Sequence, residues 1–75
     1  MRFEDRFTER AKVVLDLAQA AASEMGHSYV GSEHILLGLA RERGGVAARI
    51  LREAGLEDQL ILDLIMKNVG RGTRG

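Results

Sequence analysis

Apolar residues recur along this chain at helical spacing in four separate stretches, and the breaks between them fall at glycines. From Glu9 to Met25 nothing interrupts a helix, and Thr8 stands where an N-cap side chain accepts an orphan backbone N–H. Ala11, Val14, Leu15, Ala18, Ala22 and Met25 form one stripe; Val13, Leu17, Ala20 and Ala21 form a second beside it. So wide an arc predicts that more than one neighbour buries this helix, with Leu15 in the core. Gly26 suits the left-handed residue just past a helix end.

A second helix is predicted from Ser32 to Arg41 or Arg43. Ser32 is read as its N-cap and Glu33 as its first helical residue, where a carboxylate is favoured by the helix dipole. Ile35, Leu36 and Leu39 make its apolar face, so Leu36 is expected in the core. Gly44-Gly45 ends it, and a short third helix follows from Val46 to Ala54. There Val46, Ala47, Ile50, Leu51 and Ala54 share one side, and Gly55 stops the helix. Asp58 is read as the cap of a fourth, from Gln59 to Val69.

Composition narrows the class. The chain has 75 residues, room for one domain near the lower limit at which a single core suffices. Residues 1–69 read as that domain and residues 70–75, Gly-Arg-Gly-Thr-Arg-Gly, as a flexible tail or linker stub. Proline and cysteine are absent, which favours helices and excludes a disulfide framework or a thiolate metal site. Eleven basic residues balance eleven acidic ones, so bulk electrostatic binding of nucleic acid is not expected, and two tail arginines add little phosphate affinity. No apolar run approaches the roughly 18 residues of a membrane span and no signal-peptide pattern opens the chain, so the expected setting is cytoplasmic.

Thr8-Glu9-Arg10-Ala11, Gly26-His27, Val30 through Leu39, Gly45-Val46-Ala47-Ala48 and Gly70-Arg71-Gly72 together resemble the Clp N-terminal domain. They are most similar to the first repeat of a ClpC-type AAA+ unfoldase. The run Gly31-Ser32-Glu33-His34-Ile35-Leu36-Leu37-Gly38-Leu39 carries most of the likeness, which extends in order over nearly the whole chain. The resemblance implies an all-α fold of four helices, a single Clp repeat that is half of the usual tandem pair. It further implies a module that receives protein substrates and adaptor proteins for an AAA+ ATPase, in cis or in trans. In some members of that family the domain recognises phosphorylated arginine.

Two features depart from the family pattern. Only one repeat is present, and the fourth helix carries Leu60, Leu62, Leu64 and Met66 in addition to Ile61, Ile65 and Val69. Steps of two residues rotate by about 200° on a helix, so these side chains point around the whole circumference. Leu60, Leu62, Leu64 and Met66 are therefore candidates for an assembly surface, and a homodimer is the expected state.

Chemistry is sparse. Ser32, Glu33 and His34 contain the letters of a hydrolytic triad, but adjacent helical residues diverge by about 100° and cannot line up as nucleophile, base and orienter. His27 and His34 are seven apart across a loop, with no metal-ligand spacing around them. His34 is read as a packed residue hydrogen-bonded to a neighbouring loop. There is no Walker A motif, so no catalytic residue, metal or cofactor is assigned.

The candidate ligand site is the start of the second helix. Free N–H groups and the Ser32 hydroxyl favour a phosphate, while the Glu33 carboxylate repels a bare one yet pairs with a guanidinium beside it. Ser32 and Glu33 are thus candidates for binding phosphoarginine, a use that the resemblance also implies. The alternative is a plain cap and a favourable first-turn charge. At the level of function, the first reading is recruitment of substrates or adaptors to an ATP-dependent unfoldase. The other is a free-standing helical homo-oligomerisation module with no ligand site.

Overall fold

In the computed structural model, which describes residues 6–70, four α-helices follow one another: α1 Glu9–Glu24, α2 Ser32–Arg41, α3 Val46–Glu53 and α4 Asp58–Asn68. No strand occurs among the described residues, so the fold is all-α as the spacing predicts. Thr8 caps α1: its Oγ1 accepts the Ala11 N–H at 3.1 Å. At the other end Gly26 adopts φ +74°, the left-handed conformation. That turn lets the His27 N–H reach the Ala22 carbonyl at 2.9 Å and the Gly26 N–H reach Ser23 at 3.0 Å, satisfying carbonyls at the helix end. The same closure ends α3, where Gly55 has φ +81° and the Leu56 N–H meets the Leu51 carbonyl at 2.7 Å.

The helix α2 is the hub. The backbones of α1, α3 and α4 each run close to it and to no other helix. Along α1 the approach is tight enough to require glycine: a Cβ on Gly38 would lie 2.6 Å from the Val14 carbonyl oxygen and 3.0 Å from the Ala18 nitrogen. The core gathers Ala21 and Met25 of α1 with its end, Leu37 and Ala40 of α2, and Ile61 and Ile65 of α4. Leu51, Leu56, Leu62 and Met66 pack half-buried around that cluster.

Several expectations shift. Against the wide arc predicted for the first helix, only the backbone of α2 runs close to it among the described residues, while Ala21 and Met25 share the core cluster with Ile61 and Ile65 of α4. Val14, Ala18, Ala21, Ala22 and Met25 are buried, but Leu15 is 41% exposed because it lies on the flank of α1 turned away from α2. On α2 the buried apolar residues are Leu37 and Ala40, while Leu36 is 39% exposed. With helices packed on both sides of α2, the stripe through His34, Leu37 and Gly38 takes the centre and the Ile35–Leu36 edge stays outside. Val46 and Ile50 of α3 are likewise exposed, and Ala48 is the buried residue.

Caps move by one position. Gly31, not Ser32, is the N-cap of α2, since its carbonyl accepts the His34 and Ile35 N–H groups at 3.1 and 3.2 Å. Ser32 becomes the first helical residue and Glu33 the second. At α4 the cap is Glu57, and Asp58, the first helical residue, takes the Gln59 N–H and Arg43 on its Oδ1.

Of the interspersed arginines, Arg41 pairs with Glu24 at 3.1 Å, Arg43 with Asp58 at 3.3 Å and Arg49 with Glu53 at 3.6 Å. Glu42 holds Arg10 at 3.3 Å, tying the start of α1 to the end of α2. Three of these pairs join different elements, and Arg49–Glu53 lies within α3.

Candidate functional site

The loop from Gly26 to Gly31 delivers three rings to the start of α2. The turn at Gly26 buries His27, which stacks on Tyr29 with ring centroids 5.4 Å apart and planes inclined by 13°. His34, fully buried on α2, meets both rings edge-on at 5.0 and 5.1 Å. Aromatic pairs in these arrangements add to the stability that burial supplies.

Hydrogen bonds order the cluster. The Gly31 N–H lies 2.8 Å from His34 Nδ1, so the imidazole does for this helix start what Glu or Gln does in a capping box. His34 Nε2 and His27 Nδ1 are 2.7 Å apart, and His27 Nε2 is 2.7 Å from the carbonyl oxygen of Gly70, just past α4. The Tyr29 hydroxyl donates to Glu33 Oε2 at 2.9 Å.

The charges follow from these contacts. The Glu33 carboxyl is held below its ordinary value, first by its own backbone N–H and then by the Tyr29 hydroxyl. Tyr29 is raised in turn by that hydrogen bond to Glu33. Burial pushes His34 below its ordinary 6.5, against the opposing pull of Glu33. A buried neutral imidazole stabilises the fold fully above about 6.5, and this contribution is lost as pH falls from there through the folded-state value.

Sequence placed Ser32 and Glu33 together at this helix start, and the structure keeps them adjacent: Ser32 exposed, Glu33 half-buried. It adds Tyr29, which sequence reading passed over, and His27, which was weighed there only as a metal ligand. Their only signal was the four-residue step from Tyr29 to Glu33 and the Gly26 turn that folds His27 inward. Two clefts flank the site. One of about 390 Å3 is lined by Gln19, Ser23, His27 and Tyr29. The other, about 280 Å3 and almost wholly apolar, lies between α2 and α4, with Glu33 on its rim and Leu36, Ile61 and Leu64 on its walls.

The four α4 side chains named for assembly divide into two pairs. Leu62 and Met66 pack half-buried against the core, whereas Leu60 and Leu64, one turn apart, are each 43% exposed. Among the described residues no three His, Cys, Asp or Glu side chains converge as a metal site would require. No helix of the described residues is long and apolar enough to cross a membrane.

Comparison with known proteins gives this arrangement its lineage. The model of the family described as the Clp repeat (R) N-terminal domain matches residues 6–75. A chloroplastic chaperone protein ClpC of Pisum sativum is 52% identical over 64 residues, 85% of this chain and 7% of the relative. The Bacillus subtilis protein named negative regulator of genetic competence ClpC/MecB is 51% identical over 67 residues, 89% of this chain and 8% of the relative. A chaperone protein ClpB of Oceanobacillus iheyensis matches equally, with 51% identity over 67 residues, 89% of this chain and 8% of the relative. The chain therefore spans less than a tenth of the length of these relatives. It belongs to the Clp repeat N-terminal domain family.

Proposed function

We propose that this module recruits protein substrates or adaptor proteins to a Clp-type ATP-dependent unfoldase, performing no chemistry of its own, in a cytoplasmic setting. The observation that carries the reading is the position of Glu33. Its carboxylate stands in the first turn of α2, next in sequence to Ser32, and lines the apolar α2–α4 cleft. A helix start offers N–H donors to a phosphate, and a carboxylate pairs with a guanidinium. Together they favour phosphoarginine on an exposed protein segment, with Ser32 and Glu33 as its contacts. Tyr29 already occupies Glu33 Oε2, so an incoming guanidinium shares or displaces that hydroxyl.

The test is titration of free phosphoarginine into isotope-labelled protein, following backbone amide shifts. Shifts concentrated from Tyr29 to His34 that vanish in Glu33→Ala are expected. Shifts spread evenly along the chain, or equal affinity in Glu33→Ala, refute the site.

A second reading, self-association through α4, draws on the exposed pair Leu60 and Leu64. Apolar area of this kind stabilises a dimer when two copies bury it, at about 25 cal/mol per Å2 before association costs. Sedimentation equilibrium on the native chain and on Leu64→Glu separates the two readings. A monomer at high concentration that still binds phosphoarginine leaves recruitment standing alone.

A further inference from the structure

The two histidines do more than fill space between α1 and α2. Their ring nitrogens lie in one continuous line of hydrogen bonds with a fixed direction. At one end the Gly31 backbone N–H can only donate, so His34 Nδ1 must accept and the His34 proton sits on Nε2. At the other end the Gly70 carbonyl can only accept, so His27 Nε2 must carry a proton. The middle joint then closes without conflict, with His34 Nε2–H donating to His27 Nδ1 over 2.7 Å. Both rings are neutral, both are Nε2–H tautomers, and each of the four ring nitrogens is engaged.

An added proton has nowhere to go. Placed on His27 Nδ1, it faces the Nε2–H of His34, donor against donor. Shifting the His34 proton to Nδ1 relieves that joint but sets N–H against the N–H of Gly31. One of the two joints must open, and the rings differ in which can move. His34 is fully enclosed; His27 is 7% exposed and borders the open cleft of about 390 Å3. When His27 turns outward into that cleft it releases the Gly70 carbonyl.

We propose that His27 and His34 form a proton-sensitive latch that fastens the chain's exit from α4 to the start of α2, and that protonation of His27 unfastens it. The surroundings of His27 permit this. From α2 it faces His34 and, further out, the Glu33 carboxylate, whose charge pulls against the lowering of His34 by burial. Its own loop contributes Tyr29, stacked on it and titrating well above neutrality. From α1 it meets Ala22 and Ser23, and past α4 the Gly70 carbonyl, all uncharged. The latch ties the end of α4 to the α2 start by hydrogen bonds, where α2 is the one helix among the described residues whose backbone runs close to α4. Its consequence falls on Gly70 itself: closed, the residue is tied to the α2 start; open, it is held only through Val69 and Asn68.

The experiment is an NMR titration of the full native chain from pH 7.5 to pH 5, with far-UV circular dichroism in parallel. At the upper end the ring nitrogen shifts should report the Nε2–H tautomer in both histidines. On acidification both rings, the Gly31 amide and the Gly70 carbonyl carbon should shift with one shared midpoint. The heteronuclear NOE of Gly70 should fall to that of an untethered chain end while the helical signal holds. His27→Phe keeps a ring against Tyr29 without the nitrogens, and in it Gly70 should be loose at every pH. An Nδ1–H tautomer on either ring, separate midpoints, or a Gly70 signal that ignores the rings overturns the proposal. So does loss of the helical signal at the same midpoint, which makes the transition global unfolding. Should His27→Phe fail to fold, the titration of the native chain decides alone.

Discussion

The two sides of α2 are packed on opposite terms. Toward α1 the contact is backbone on backbone, with Gly38 against Val14 and Ala18, and with Ala18, Ala21 and Ala22 at or near zero exposure. Toward α4 it is made by large aliphatic side chains: Ile61 and Ile65 enclosed, Leu62 and Met66 half in, Leu60 and Leu64 each 43% exposed. Around Gly38 the first side is closed to anything larger, and its own cleft of about 280 Å3 opens only beyond, where Ala11 and Val14 face Leu39 and Val46. The second leaves an apolar cleft of about 280 Å3 whose rim carries Glu33.

The largest expected effect is at the residue both sides share. Leu37 is fully buried in the cluster that joins Met25 to Ile61 and Ile65. Leu37→Ala should cost about 2–5 kcal/mol, the range for emptying an enclosed leucine site. Against the 5 kcal/mol or so that a small domain has to lose, this brings the chain close to unfolding. Chemical denaturation followed by circular dichroism measures it, and a loss under about 1 kcal/mol would mean that α4 does not lean on α2 as described.

The next prediction sets the two sides against each other. Gly38→Ala raises helix propensity by about 1 kcal/mol, yet the new methyl meets backbone that cannot step aside, and overpacking costs about 1–3 kcal/mol. The net change should be destabilising. On the other side Leu62→Met keeps volume among flexible neighbours and should cost less than about 1.5 kcal/mol. If Gly38→Ala proves neutral or stabilising while Leu62→Met is severe, the comparison is inverted.

What the sequence disclosed divides along the same line. Helix number, the Thr8 cap, the left-handed turn at Gly26 and the helix stop at Gly55 were legible, because each depends on a few adjacent residues. So was the pairing of Ser32 with Glu33, one residue out of register with the true cap. The buried faces were less so. A stripe of alanines and leucines reads as one broad apolar arc until neighbours are placed, and here α2 selected the small residues of α1 and left Leu15 outside. Of the histidine line only one end was legible, His34 as a packed residue hydrogen-bonded to the neighbouring loop. The line joins residues seven and forty-three apart, and only the folded loop brings His27 between His34 and Gly70.

The smallest effect tests the face assignment itself. The apolar spacing alone places Leu15 and Leu36 in the core, where truncation costs about 2–5 kcal/mol. Both are in fact about two-fifths exposed, Leu15 at 41% and Leu36 at 39%. Full burial of a leucine side chain is worth about 1.5–3 kcal/mol, and solvent fills the space a truncated half-exposed one leaves, so no cavity cost is added. Leu15→Ala and Leu36→Ala should therefore each cost about 1 kcal/mol in dilute protein. The two then separate with concentration. Leu36 walls the open α2–α4 cleft and Leu15 does not, so a second copy seated there makes the Leu36→Ala loss grow as protein is added while Leu15→Ala stays constant. Parallel denaturation at low and high micromolar concentration reads the difference. A Leu36→Ala cost above about 2 kcal/mol even in the most dilute sample returns that side chain to the core and closes the cleft.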